Sequence, residues 1–182
     1  MSSRNILGRI LALEIEEKIL NGAAIFAFVS VFFPWVGGEW LGGKTVTFNG
    51  LGFFTSFIGL TVLLLQTFIL LVTIIPISGG PAVVKKKYTN IVRLLAAALS
   101  TLLTVAIWSV LTKFTFEFSR LQIYFGLYGT LVGSLIVSLY SFLRMQEERR
   151  TEAKDLFTHE SNLSAEQNFP PEPEQPENHR YR

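Results

Sequence analysis

Four stretches of this chain are long, apolar and almost without charge, and no other feature restricts its fold as much. They cover residues 19–36, 53–77, 91–111 and 121–143. A spanning helix needs about 20 mostly apolar residues, at about 1.5 Å rise each, to cross roughly 30 Å of hydrocarbon. All four blocks meet that length. The second and fourth hold no charged residue. The third holds Arg93 in its first turn, where a long side chain can snorkel to the interface. Charged residues make up 16% of the 182 residues, against about 25% in a soluble domain. The expected fold is an all-α membrane protein. It is a four-transmembrane-helix bundle with a small extracytoplasmic β-hairpin or three-stranded sheet and a disordered C-terminal tail.

The first block reads as a retained helix and not a cleaved signal. Glu14, Glu16 and Glu17 precede it and no small-x-small site follows Trp35. Lys and Arg in short loops set the orientation. Arg4, Arg9 and Lys18, then Lys85, Lys86, Lys87 and Arg93, then Arg144, Arg149, Arg150 and Lys154 lie on one side. Only Lys44, Lys113 and Arg120 lie on the other. Both termini are therefore expected in the cytoplasm of a plasma membrane, the inner membrane of a bacterium. The Lys85–Lys86–Lys87 run is expected to contact anionic lipid.

Residues 1–20 form a candidate N-terminal amphipathic helix, with Ile6, Leu7, Ile10, Leu11, Ile15 and Ile19 recurring at steps near three and four. It lies in the interface or extends the first span into the cytoplasm. Residues 19–145 make the transmembrane domain. In residues 146–182, the charged segment from Glu147 to Lys154 prolongs the last helix. From Asp155 onward the polar, acidic and Pro-rich composition predicts disorder.

In the first outer loop, Gly42-Gly43 suits a two-residue hairpin turn. It would pair Leu41 with Lys44, Trp40 with Thr45 and Glu39 with Val46. In the second, Phe114, Phe116 and Phe118 alternate with polar residues, the period of a half-buried strand. Three strands hold where an isolated hairpin is marginal. A three-stranded sheet is thus expected. The alternative is that the Phe residues extend the third and fourth helices into the headgroup layer.

Pro34-Trp35, the Gly-rich loop after it and Asn49-Gly50-Leu51 resemble the pattern of small bacterial four-span integral membrane proteins. In plan the chain is also distantly similar to the claudin-like tetraspan family. That family carries a disulfide and a Trp, Gly-Leu-Trp signature in a longer first loop. This chain has no Cys, and Trp35 and Trp40 flank only residues 36–39. The resemblance implies an architecture and no activity.

Candidate chemistry is sparse. Glu39 and Glu117 fall in outer loops, His159 and His179 in the tail, and no cluster has metal-ligand spacing. A net charge of +2 is no nucleic-acid footprint. No enzyme, metal or cofactor is expected, and no nucleic-acid partner. Gln66, near the centre of its block, either lines a pore or bonds across to another helix. Gly126, Gly129, Thr130, Gly133, Ser134 and Ser138 form a small-residue ridge in the fourth block, and Ala96, Ser100 and Thr104 another in the third. Close backbone approach drives helix association in lipid, so the two ridges are expected to face each other. Otherwise they recruit other membrane proteins or a second copy. The expected function is a non-enzymatic scaffold or accessory subunit of a membrane complex. The alternative is a small channel or transporter for a neutral or lipophilic solute.

Overall fold

A computed structural model describes residue 8 and residues 14–39, 43–52, 55–85, 88–117 and 120–166, with residues 152 and 155–166 by backbone alone. Among these are four helices and three strands. In chain order they are α1 (Ile15–Ser30), β1 (Pro34–Glu39), β2 (Thr45–Asn49), α2 (Ser56–Ile77), α3 (Thr89–Glu117), β3 (Leu121–Ile123) and α4 (Phe125–Glu166). The chain divides into two units, Met1–Met145 and Gln146–Arg182. By length and composition α2, α3 and the Phe125–Thr151 part of α4 can each cross a membrane.

The first apolar block is not one helix. α1 ends at Ser30, and Val31, Phe32 and Phe33 each donate their N–H three residues back, tightening the last turn. The residue before a proline is pushed away from helical geometry, so Pro34 starts an extended segment. Residues 34–36, expected at the end of the first span, belong to β1. Trp35 is fully buried there, and its Nε1–H donates to the Ser30 carbonyl at 3.2 Å.

The sheet is antiparallel with order β2-β1-β3, so β1 is the central strand. Two expectations about it are corrected. Glu39 pairs with Thr45 and Gly38 with Val46, one residue out of the expected register. The connection is accordingly longer than two residues. Gly43 takes the left-handed φ of 77° within it, while Trp40, Leu41 and Gly42 lie outside the described residues. The third strand is Leu121–Ile123, with Val36 opposite Ile123 and Gly38 opposite Leu121. Phe114 and Phe116 sit instead in the last turns of α3, and Phe118 lies outside the described residues. No Gly or Pro interrupts α3 after Thr89, so nothing stops it at residue 111.

The backbone of α4 runs on to Glu166. No proline interrupts the chain between α4's start and Pro170. Residues 167–182 lie outside the described residues, as does all of the expected N-terminal amphipathic segment before Glu14 except Gly8.

Two apolar layers fill the interior. Leu20, Ala23, Ala24, Ile69, Ala96, Ala97 and Val137 form one. Val31, Trp35, Val36, Val62, Ile107, Leu111 and Leu127 form the other, beneath the sheet. Large apolar side chains also point outward from every helix, among them Phe26, Leu64, Leu102 and Leu135.

Gly22 stands apart from this packing. A Cβ there would meet nothing within 4 Å. Gly inside a helix costs roughly 0.5–1 kcal/mol relative to Ala. Gly22→Ala is therefore expected to raise the unfolding free energy in detergent by about that amount, and a decrease would mean that a neighbour occupies the space.

Candidate functional site

The small residues of α4 divide between two neighbours. Successive residues of a helix point about 100° apart, so Gly126, Gly129 and Gly133 lie on one face while Thr130 and Ser134 lie on the next. The glycine face meets α1 and the turn after it. A Cβ on Gly133 would lie 2.8 Å from Ala27 Cβ and 3.0 Å from the Ala23 carbonyl oxygen. One on Gly129 would lie 2.6 Å from Ser30 Oγ, and one on Gly126 2.6 Å from the carbonyl oxygens of Phe33 and Pro34. The expected contact of these glycines with Ala96, Ser100 and Thr104 is corrected: the seam joins α4 to α1. Ala23, Ala27 and Ser30 supply small residues from the other side, a ridge equally present in the sequence.

The polar face of α4 does meet α3, through Gln66. Its Nε2 lies 3.0 Å from Ser100 Oγ and 3.0 Å from Ser134 Oγ, and the two serine oxygens are 3.1 Å apart. All three residues are fully buried. One amide thus ties α2, α3 and α4 together. Thr104 and Thr130, also fully buried, donate to the carbonyls of Ser100 and Gly126 on their own helices, both at 2.8 Å. Gln66 Oε1 is buried without a hydrogen-bond partner among the described residues. Ala96 lies in the neighbouring apolar layer, and Ser138 is half-buried.

A second polar group lies at the end of the bundle away from the sheet, and sequence reasoning missed it. Arg93 turns into the protein and is 5% exposed. Its Nη1 donates to Glu17 Oε1 at 3.0 Å and its Nη2 to Thr73 Oγ1 at 2.5 Å. The other Glu17 oxygen accepts from Arg144 Nη2 at 2.8 Å. Arg144 also pairs with Glu14, whose side chain is largely exposed. The Glu17 carboxylate therefore bridges two guanidinium groups, and with Thr73 the node contains one residue from each of α1, α2, α3 and α4. A legible signal existed: acids before the first block, an Arg opening the third and an Arg closing the fourth.

Near that node, Arg93 Nε, Asn21 Oδ1 and Ser141 Oγ are buried without a partner among the described residues. Lys85 is exposed, and its carbonyl accepts from the Tyr88 N–H at 2.8 Å. Lys86 and Lys87 lie outside the described residues. At the sheet end, Arg120 pairs with Glu39 at 2.5 Å in the open, where such a pair contributes little. No group of His, Cys, Asp and Glu among the described residues could hold a metal ion.

No family model, curated protein or solved structure matches this chain.

Proposed function

We propose that the chain is a four-span membrane protein of the bacterial inner membrane, with both termini in the cytoplasm, and that it serves as a non-enzymatic scaffold or accessory subunit. Support for lipid as its surroundings comes from the inside-out distribution of side chains. Gln66, Ser100, Thr104, Thr130 and Ser134 are fully buried while Leu64, Leu102 and Leu135 are exposed. Phe33, Phe116 and Phe125 are likewise exposed at the sheet end. The Lys and Arg distribution supports the orientation, with the sheet outside.

One observation carries the scaffold reading. Each of the two interior polar groups bonds the helices to one another, with Gln66 Oε1 and Arg93 Nε left over, and the Leu20–Ile69–Val137 apolar layer separates the groups. The Trp35–Leu111 layer closes the sheet end. Glu17, Arg93 and Arg144 are spent on each other, which leaves a helix bundle whose outer faces and sheet are what it offers to other molecules. The partner class is other integral membrane proteins, or a second copy.

A second reading, a channel or transporter for a neutral solute, is favoured by the unpartnered Gln66 Oε1, a buried acceptor that a solute donor could use. One experiment separates the two. The protein is purified in mild detergent from its native membrane, and a sample is reconstituted in liposomes loaded with small neutral solutes. The scaffold reading expects a stoichiometric membrane-protein partner, or a defined oligomer, and efflux no faster than from empty liposomes. Efflux abolished by Gln66→Leu would establish the solute path instead.

A further inference from the structure

We propose that α1 is a conditional span, held in the membrane by docking against the other helices and not by its own hydrophobicity. The inference rests on the four-span reading and adds to it how the first helix is kept in place.

α1 has 16 residues, a length of about 24 Å at 1.5 Å per residue. That falls short of the roughly 30 Å hydrocarbon thickness. The other three helices are long and apolar enough to cross, and α1 is not among them. Its first turn carries Glu16 and Glu17, followed by Lys18. Its buried face is built from Leu20, Ala23, Ala24, Ala27 and Ser30, mostly small side chains that bring little apolar area of their own.

What α1 lacks in hydrophobicity it finds in two specific contacts. At one end both oxygens of Glu17 are taken, by Arg93 of α3 and Arg144 of α4. Each side carries a charge that the other neutralises, so the undocked helix exposes an acid and the undocked bundle a buried cation. At the other end the Gly126–Gly129–Gly133 face lets the backbone of α1 approach α4 closely. The latch is electrostatic and the seam steric, and they fail independently. The docking also has a cargo: β1 follows α1 directly and is the central strand of the sheet. A molecule whose α1 leaves the bundle loses the strand that joins β2 to β3.

The chain has no Cys, so sidedness can be read by single cysteines and a membrane-impermeant maleimide. Gly8→Cys, Thr45→Cys and Lys85→Cys report the chain before α1, the sheet and the α2–α3 loop in sealed membranes. In the parent protein, positions 8 and 85 are expected on one face and 45 on the other. Arg93→Leu and Gly133→Leu each leave the sequence of α1 untouched. Each is expected to bring positions 8 and 45 to the same face in a large fraction of molecules. Arg93→Lys keeps a cation opposite Glu17 and is expected to retain the parent pattern, which guards against a simple folding failure. If positions 8 and 45 share a face in the parent protein, the four-span reading itself is wrong. If the parent pattern is as expected and both variants retain it, α1 crosses on its own and the conditional span is refuted.

Discussion

Replacing Glu17 by Leu is expected to lower the unfolding free energy in detergent by about 3–5 kcal/mol, the usual cost of removing one partner from a buried ion pair. The Glu17 side chain is 14% exposed and that of Arg93 6%. With Glu17 gone, Arg93 keeps only the Thr73 hydroxyl among the described residues, and its nearly buried guanidinium has no counter-charge there. Arg144 is less affected, since it is more exposed and retains Glu14. The double variant Glu17→Leu with Arg93→Leu should recover most of the loss. Two apolar residues of similar size often match a buried ion pair. Trp35, buried beneath the sheet, supplies the fluorescence change to follow. A Glu17→Leu protein within about 0.5 kcal/mol of the parent, the range of ordinary surface substitutions, would falsify the bridging role.

Gly133→Leu should cost on the order of 1–3 kcal/mol, the usual range for overpacking. The first carbon of the new side chain already falls 2.8 Å from Ala27 Cβ and 3.0 Å from Ala27 Cα. A neighbour's backbone cannot yield as a flexible side chain would. Changing the outward-facing Val132, half-exposed on the same turn, to Leu should cost little, because an exposed apolar side chain can be enlarged without displacing a neighbour. The partner helix can be identified by compensation. Ala27→Gly removes the methyl that the larger side chain at position 133 strikes, so it should restore part of the stability. Ala96→Gly on α3 should restore none. The reverse pattern, rescue from Ala96 alone, would put the glycine seam back against α3.

The apolar blocks located α2, α3 and the first part of α4 because length and hydropathy are properties of one segment. What went wrong needed a second segment to decide. Residues 31–36 are as apolar as the helix before them, and only the pairing of β1 with β2 and β3 makes 34–36 a strand. Phe114, Phe116 and Phe118 alternate, yet alternation over five residues is weak against an uninterrupted helix arriving from Thr89. In the helix Phe114 is half-buried and Phe116 exposed, so the burial of these two side chains differs without a strand. The existence of a small-residue ridge on α4 was legible, but its partner was not. α1 and α3 both offer small residues at four-residue steps. The ion-pair node was invisible to a search within each block, because Glu17 and Arg144 flank the blocks and Arg93 sits at the edge of one.

The position of β1 in the sheet sets an order of events during synthesis. Strand β1 leaves the ribosome early and can pair with β2 almost at once. Its other edge waits for β3, which arrives only after α2 and α3 have both been made. For that interval the hairpin keeps one row of N–H and C=O groups unpaired, the condition under which strands join the wrong neighbour. The segment that completes the sheet is three residues long and leads directly into α4, the helix that carries the glycine seam. Closing the sheet and seating the last helix are thus successive acts of a single short stretch of chain. A translational pause placed between β2 and β3 should lengthen the vulnerable period, and one placed after β3 should not.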